Sequence, residues 1–201
     1  MLTTPVWDSF AEYCRAEGLE PDAIRTLFSE DPEALAELRR LEMGAESEEE
    51  FEASFGRRLG LANPAGLIDS LFAGMAPVEE MLAAVRALRR GGLRTGLVSN
   101  SWSTGHYDRK LLAELFDAVL ISGELGMHKP QPQIYLLAAE RVGAEPRGCL
   151  FVDDLRENCE GAEAVGMTAI RHRQPAQTIE RLSELTGADV GAASPPWRPT
   201  P

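Results

Sequence analysis

Apolar positions recur with a helical period through the first part of the chain, and the period changes near residue 90. Thr4-Pro5 reads as an N-cap followed by Pro at the first helical position. Val6, Phe10, Tyr13 and Cys14 then share one face, and Gly18 closes the helix. Pro21, Pro32, Ser47 and Pro64 mark further starts, and Phe51, Phe55 and Leu59 form an i, i+4, i+8 stripe. Short amphipathic stretches of this kind predict a small helical bundle. Pro77 opens one more helix, with Met81, Leu82, Val85 and Leu88 facing inward, and Gly91-Gly92 stops it.

From Leu93 onward short apolar runs alternate with helix-length stretches. Strands are expected over 93–98, 118–122, 149–152 and 168–171, with helices near 108–115, 132–142, 157–165 and 175–185. Strands separated by such crossovers must mostly run parallel, with right-handed connections. The fold class this predicts is α/β: a doubly wound parallel-sheet core over 77–186, preceded by an N-terminal helical-bundle cap over 4–76. Residues 187–201 are rich in Gly, Ala and Pro and are expected to form a mobile tail.

Composition narrows the partners more than it changes the fold. The 201 residues are 44% hydrophobic and 26% charged, which suits one domain carrying an insertion. A net charge of −12 opposes nucleic acid and anionic membrane surfaces, so neither is expected as a partner. No apolar run approaches the roughly 20 residues of a membrane span, and the basic-then-apolar layout of a signal peptide is missing. A cytoplasmic protein is therefore expected. Cys14, Cys149 and Cys159 are odd in number and widely spread, which predicts reduced thiols rather than disulfides or a zinc site.

In parallel α/β sheets ligands sit beyond the carboxyl ends of the strands, so the polar residues that end each apolar run carry the candidate chemistry. Gly96-Leu97-Val98-Ser99-Asn100 delivers a hydroxyl and an amide into a loop, where they could hold an oxyanion. Its plainer reading is a Ser/Asn turn that stops a strand. His128-Lys129-Pro130 places an ammonium on restricted backbone, against the plainer reading of a solvated Lys. Leu150-Phe151-Val152-Asp153-Asp154 ends a strand in two carboxylates, a pairing that calls for a compensating cation such as Mg²⁺, although Asp154 would also serve as a helix cap. Together and in this order they amount to a phosphoryl-transfer site short of a nucleophile.

With these residues in this order, the chain resembles the haloacid dehalogenase-like (HAD) superfamily over nearly its whole length. The resemblance falls on Leu97-Val98-Ser99-Asn100, on Lys129 within His-Lys-Pro, and on Asp153-Asp154. The wording Ile121-Ser122-Gly123-Glu124 is similar to the branch holding the haloacid dehalogenases and the phosphatase domain of soluble epoxide hydrolases. That resemblance implies that Ser99 and Lys129 hold a phosphate, that Asn100 lines the substrate, and that Asp153 and Asp154 bind Mg²⁺ directly or through water. It also implies that Lys129 and Asp153 act in catalysis and that the helical first half is a cap that helps select substrate.

One part of the family pattern has no counterpart. Met1-Leu2-Thr3-Thr4-Pro5 fits only the end of the family's first motif, so the strand bearing the nucleophilic Asp is expected upstream of Met1, and Asp8 lies inside a helix. The leading expectation is a Mg²⁺-dependent phosphatase of a small phosphorylated metabolite, working through an aspartyl-phosphate on that absent Asp. Two alternatives stay open: a non-catalytic protein that binds phosphate esters, and a 2-haloacid dehalogenase, whose Asp attacks carbon without a metal. The sequence leaves oligomeric state open, with a homodimer among the states allowed.

Overall fold

The computed structural model describes residues 2–105 and 107–191. Met1 and the greater part of the expected tail, 192–201, lie outside the described residues. Helices α1 (Val6–Ala16), α2 (Ala23–Glu30), α3 (Pro32–Glu42), α4 (Glu48–Arg58) and α5 (Leu67–Phe72) make up the bundle. They enclose a core that includes Phe10, Cys14, Ile24, Leu41, Phe51, Phe55 and Leu71. Phe51 and Phe55, one turn apart, stack with ring centroids 4.9 Å apart. Helix α3 begins with Pro32 at its first turn and is capped by the Asp31 carboxylate, while Ser47 and Glu50 form a reciprocal capping box on α4.

Helix α1 starts differently from its sequence signature. Pro5 is the N-cap and no side chain caps the helix. The Thr4 hydroxyl is occupied elsewhere: it accepts a hydrogen bond from the Ala76 N–H at 3.1 Å. This bond belongs to a pair of linkers, in which Thr4 N–H donates to the Ala76 carbonyl, Val78 N–H donates to the Leu2 carbonyl, each at 2.8 Å, and Thr3 bridges Pro77 in antiparallel sense. The chain therefore enters and leaves the bundle side by side. Leu2 packs into the cluster of Leu82, Leu112 and Leu115, below the bundle.

After α6 (Glu79–Arg90) the alternation of strand and helix follows the predicted order, with strand ends shifted by up to three residues. It runs β1 (Gly96–Ser99), α7 (Arg109–Leu115), β2 (Ala118–Ile121), a short α8 (Ser122–Leu125), α9 (Pro132–Val142), β3 (Leu150–Asp153), α10 (Arg156–Ala164), β4 (Thr168–Arg171) and α11 (Pro175–Thr186). Strand β1 pairs parallel with β2, and β3 with β4. Helices α9 and α10 cover one face, where Tyr135 meets Phe151, and α6, α7 and α11 supply apolar side chains to the other. Just past α11, Val190 is buried in the cluster of Leu88, Ile170 and Leu182, so the start of the expected tail is packed.

The strands do not join into a single sheet. Among the described residues they form two parallel pairs, β1-β2 and β3-β4, and no strand links β1 to β3. Burial carries the same mark: Ala118, Leu120 and Ile121 of β2 are buried, whereas Leu97 and Val98 of β1 and Leu150, Phe151 and Val152 of β3 are only half-buried. Strands inside a parallel sheet covered by helices on both faces should be its most buried elements. Here the apolar strands β1 and β3 each keep one unpaired edge.

Candidate active site

The polar residues that end the strands gather around Lys129. Asn100, just past β1, holds its backbone from both sides: the Asn100 Oδ1 accepts from Lys129 N–H at 2.8 Å and the Nδ2 donates to the Lys129 carbonyl at 3.0 Å. The Lys129 ammonium donates to Asp153 Oδ2, at the end of β3, at 2.7 Å. Lys129 is 7% exposed and Asp153 1%, so this is an ion pair largely removed from water. The remaining Asp153 oxygen accepts from Leu155 N–H at 3.0 Å and from Asn158 Nδ2 at 2.9 Å. Three donors thus fix one carboxylate, and that carboxylate aims one ammonium.

Ser99 ends β1 half-buried, with its hydroxyl 2.8 Å from the Tyr107 hydroxyl and free to donate or accept. The next strand end is similar in kind. Ser122, fully buried at the end of β2, accepts at its hydroxyl from Ser101 N–H at 2.9 Å, which ties the loop after β1 to the loop after β2. Asn100, Lys129 and Asp153 are therefore brought together at the carboxyl ends of β1 and β3, and Ser99 precedes Asn100 at the end of β1 with its hydroxyl on Tyr107. Asp154 differs: it is exposed, and its carbonyl accepts from Arg171 Nε at 3.2 Å.

Among the described residues no cluster of three or more His, Cys, Asp or Glu is placed to hold a metal ion. The Asp153-Asp154 pair offers at most two protein carboxylates, and Asp153 already receives three hydrogen bonds. Mg²⁺ is bound by one or two carboxylates together with waters and phosphate oxygens, so the pair fits part of such a ligand set and needs a further oxygen donor.

Two residues that face this site gave no signal in the sequence. Trp102 leaves the loop after Asn100 and inserts its ring among the aromatics of the helical bundle, with centroids 5.2 Å from Phe10, 5.5 Å from Phe51 and 5.6 Å from Phe72. Glu42 is the last residue of α3 and is half-buried. Burial pushes the Glu42 carboxyl up to about 7, against the opposing pull of Lys129, Arg39 and Trp102. A cleft of about 190 Å³ is lined on the bundle side by Gly44, Glu46 and Glu48 and on the core side by Ser101, Trp102 and Gly123. Trp102 lies in a loop with no hydrophobic period, so nothing in its local sequence marks it.

Comparison with known proteins places these residues in a family context. The family model described as haloacid dehalogenase-like hydrolase matches residues 3–166. The chain is 33% identical over 123 residues to bifunctional epoxide hydrolase 2 of Rattus norvegicus, a match covering 58% of this chain and 22% of that protein. It is 30% identical over 110 residues to glyceraldehyde 3-phosphate phosphatase of Methanopyrus kandleri, covering 53% and 47% respectively. The matched region therefore spans less than half the length of either relative. Among solved structures, a HAD family enzyme from Bacteroides thetaiotaomicron in complex with magnesium and inorganic phosphate superposes with a TM-score of 0.61 at 19% identity, covering 86% of this chain and 89% of that one. At that identity the likeness concerns the fold.

Proposed function

The chain belongs to the haloacid dehalogenase-like hydrolase family, and from that premise we propose that it is the cap and most of the core of a Mg²⁺-dependent phosphatase acting on a small phosphorylated metabolite. The observation that carries this reading is Lys129, whose backbone is held by the Asn100 amide and whose ammonium is held by the Asp153 carboxylate, at the ends of β1 and β3. A buried, fixed cation at the carboxyl ends of parallel strands is suited to a phosphate group. In this reading Ser99 and Lys129 hold the phosphate, and Asn100 acts as a positioning residue whose amide is committed to the Lys129 backbone.

Asp153 and Asp154 would contribute oxygens to Mg²⁺, which would offset the negative charge of the phosphate. The third oxygen donor and the nucleophile are assigned to an Asp on a strand lying between β1 and β3 and leading into Leu2. Its support is the pair of open strand edges, the half-buried apolar residues on both, and the linker at Leu2 that leaves the cap toward the core. Attack by that Asp on phosphorus would break the ester bond and release the alcohol, which takes a proton from water, and a second water would then hydrolyse the acyl phosphate to inorganic phosphate and restore the carboxylate. The phosphatase named among the relatives supports the same substrate class.

The test is turnover of generic phosphate esters by the chain and by a form extended with the in-frame sequence upstream of its gene start. The expected result is turnover by the extended form alone, dependent on Mg²⁺, and lost in a folded Asp153→Asn variant. A stop codon directly upstream, or an extended and folded protein that binds phosphate without turnover, would leave the non-catalytic binding protein as the better reading.

A further inference from the structure

The hydroxyl that ends β1 is engaged by a tyrosine at the start of α7. Tyr107 stands one residue before Asp108, whose carboxylate caps that helix by accepting from Lys110 N–H and Leu111 N–H at 3.0 Å each. The Tyr107 ring packs into the cluster of Leu82, Leu112 and Leu115, and Leu112 is the fourth residue of α7, the spacing of a hydrophobic staple. The Arg109 guanidinium lies over the ring, 5.6 Å from its centroid, and is itself paired with Glu124 of α8. Packing thus fixes the ring while its hydroxyl reaches Ser99 Oγ at 2.8 Å.

We infer that Tyr107 is a positioning residue for phosphate: its hydroxyl donates to Ser99 Oγ, which leaves the Ser99 proton for a phosphate oxygen. This rests on the reading above in which Ser99 and Lys129 hold the phosphate. A serine hydroxyl has a single proton to donate, whereas a phosphate dianion only accepts, so Ser99 serves it only when that proton is not spent elsewhere. A phenol is a stronger acid than an aliphatic alcohol and is the better donor of the pair. A second acceptor near the Ser99 hydroxyl, the Asn100 carbonyl, is 3.5 Å away, at the outer limit of a hydrogen bond. The Ser99 proton is therefore held weakly before an anion arrives. A hydroxyl that accepts one hydrogen bond also becomes a stronger donor of the next.

A thermodynamic cycle on binding tests this without requiring turnover. Inorganic phosphate and sulfate are titrated calorimetrically into the chain, Tyr107→Phe, Ser99→Ala and the double variant. Phe keeps a ring for the Leu112 cluster and for Arg109 and removes the hydroxyl alone. Tyr107→Phe is expected to weaken phosphate about fivefold, the worth of one ordinary hydrogen bond, and by less than about twofold when Ser99 is already Ala. Sulfate, which has no proton to give, should show the same loss. Equal losses in the two backgrounds would mean that Tyr107 touches the anion itself or only steadies the fold, and would overturn the relay. A loss for phosphate with none for sulfate would reverse the direction of donation and overturn it as well. No loss in either background, with phosphate still bound, removes Tyr107 from the site and leaves the phosphate reading standing. Failure of phosphate to bind the parent chain overturns both.

Discussion

The ion pair between Lys129 and Asp153 should be the energetic keystone of the strand-end site, and a double-mutant cycle can measure it. Both groups are nearly out of water, and their contact is 2.7 Å. In Asp153→Asn the new side-chain amide would point N–H groups at an ammonium that can only donate. Removing one member of a buried pair in this way costs about 3–5 kcal/mol. Lys129→Met is milder, because Asp153 keeps its bonds from Asn158 at 2.9 Å and from Leu155 N–H at 3.0 Å. A loss of about 1–3 kcal/mol is expected there, the range for a buried group that loses one partner. In the double variant the uncompensated charge is gone and the Asn can still accept from Asn158 or Leu155. Its cost should fall short of the sum of the singles by about 1–3 kcal/mol. Urea unfolding of all four proteins, followed by circular dichroism, gives each free energy. Additivity within about 0.5 kcal/mol would refute the claim that the pair is buried and mutually dependent.

Two further outcomes follow from the contacts between cap and core. Trp102→Ala removes a half-buried ring shared by five cap aromatics, so it should destabilise by about 3 kcal/mol, near the low end for Trp in a core; an unfolding midpoint equal to that of the parent would show that the ring does not bind the cap to the core. Glu42 also makes stability depend on pH with a definite sign. Its carboxyl is raised in the folded protein, so the folded state holds a proton that the unfolded chain has already released, and this contribution is lost as pH rises from about 4.5 toward 7 and beyond. Glu42→Gln should therefore be more stable than the parent at about pH 8 and approach it at pH 4–5, near the ordinary range of a glutamate; parallel stability curves for the two proteins would contradict the shift.

Much of this site is legible along the chain because parallel α/β architecture writes it there. An apolar run that ends in Ser99-Asn100 or Asp153-Asp154 already says which residues reach the carboxyl end of a strand. What each residue does there depends on partners far away in sequence. The amide of Asn100 reads as a substrate contact until the chain folds and it closes on the backbone of Lys129. Thr4 reads as a helix cap because caps are local, whereas its actual partner, Ala76, is the other linker of the cap. Glu42 and Trp102 carry no mark along the chain, so the bundle surface near the site emerges only from packing. The helices were clearer, since a stripe such as Phe51 and Phe55 or a capping box at Ser47 is complete within one element.

The unjoined strand pairs connect stability to function in one place. A strand running parallel between β1 and β3 would find N–H and C=O groups on both edges, and would cover Leu97, Val98, Phe151 and Val152, which are half-buried without it. Strand edges of this kind are otherwise open to pairing with other chains. The residue at the carboxyl end of such a strand would emerge between Ser99 and Asp153, the point toward which Lys129 is already held. The element that relieves the open edges and the element that supplies the missing carboxylate would then be the same one. Under the proposed function, gain of activity and gain of unfolding free energy must therefore arrive together when the chain is extended.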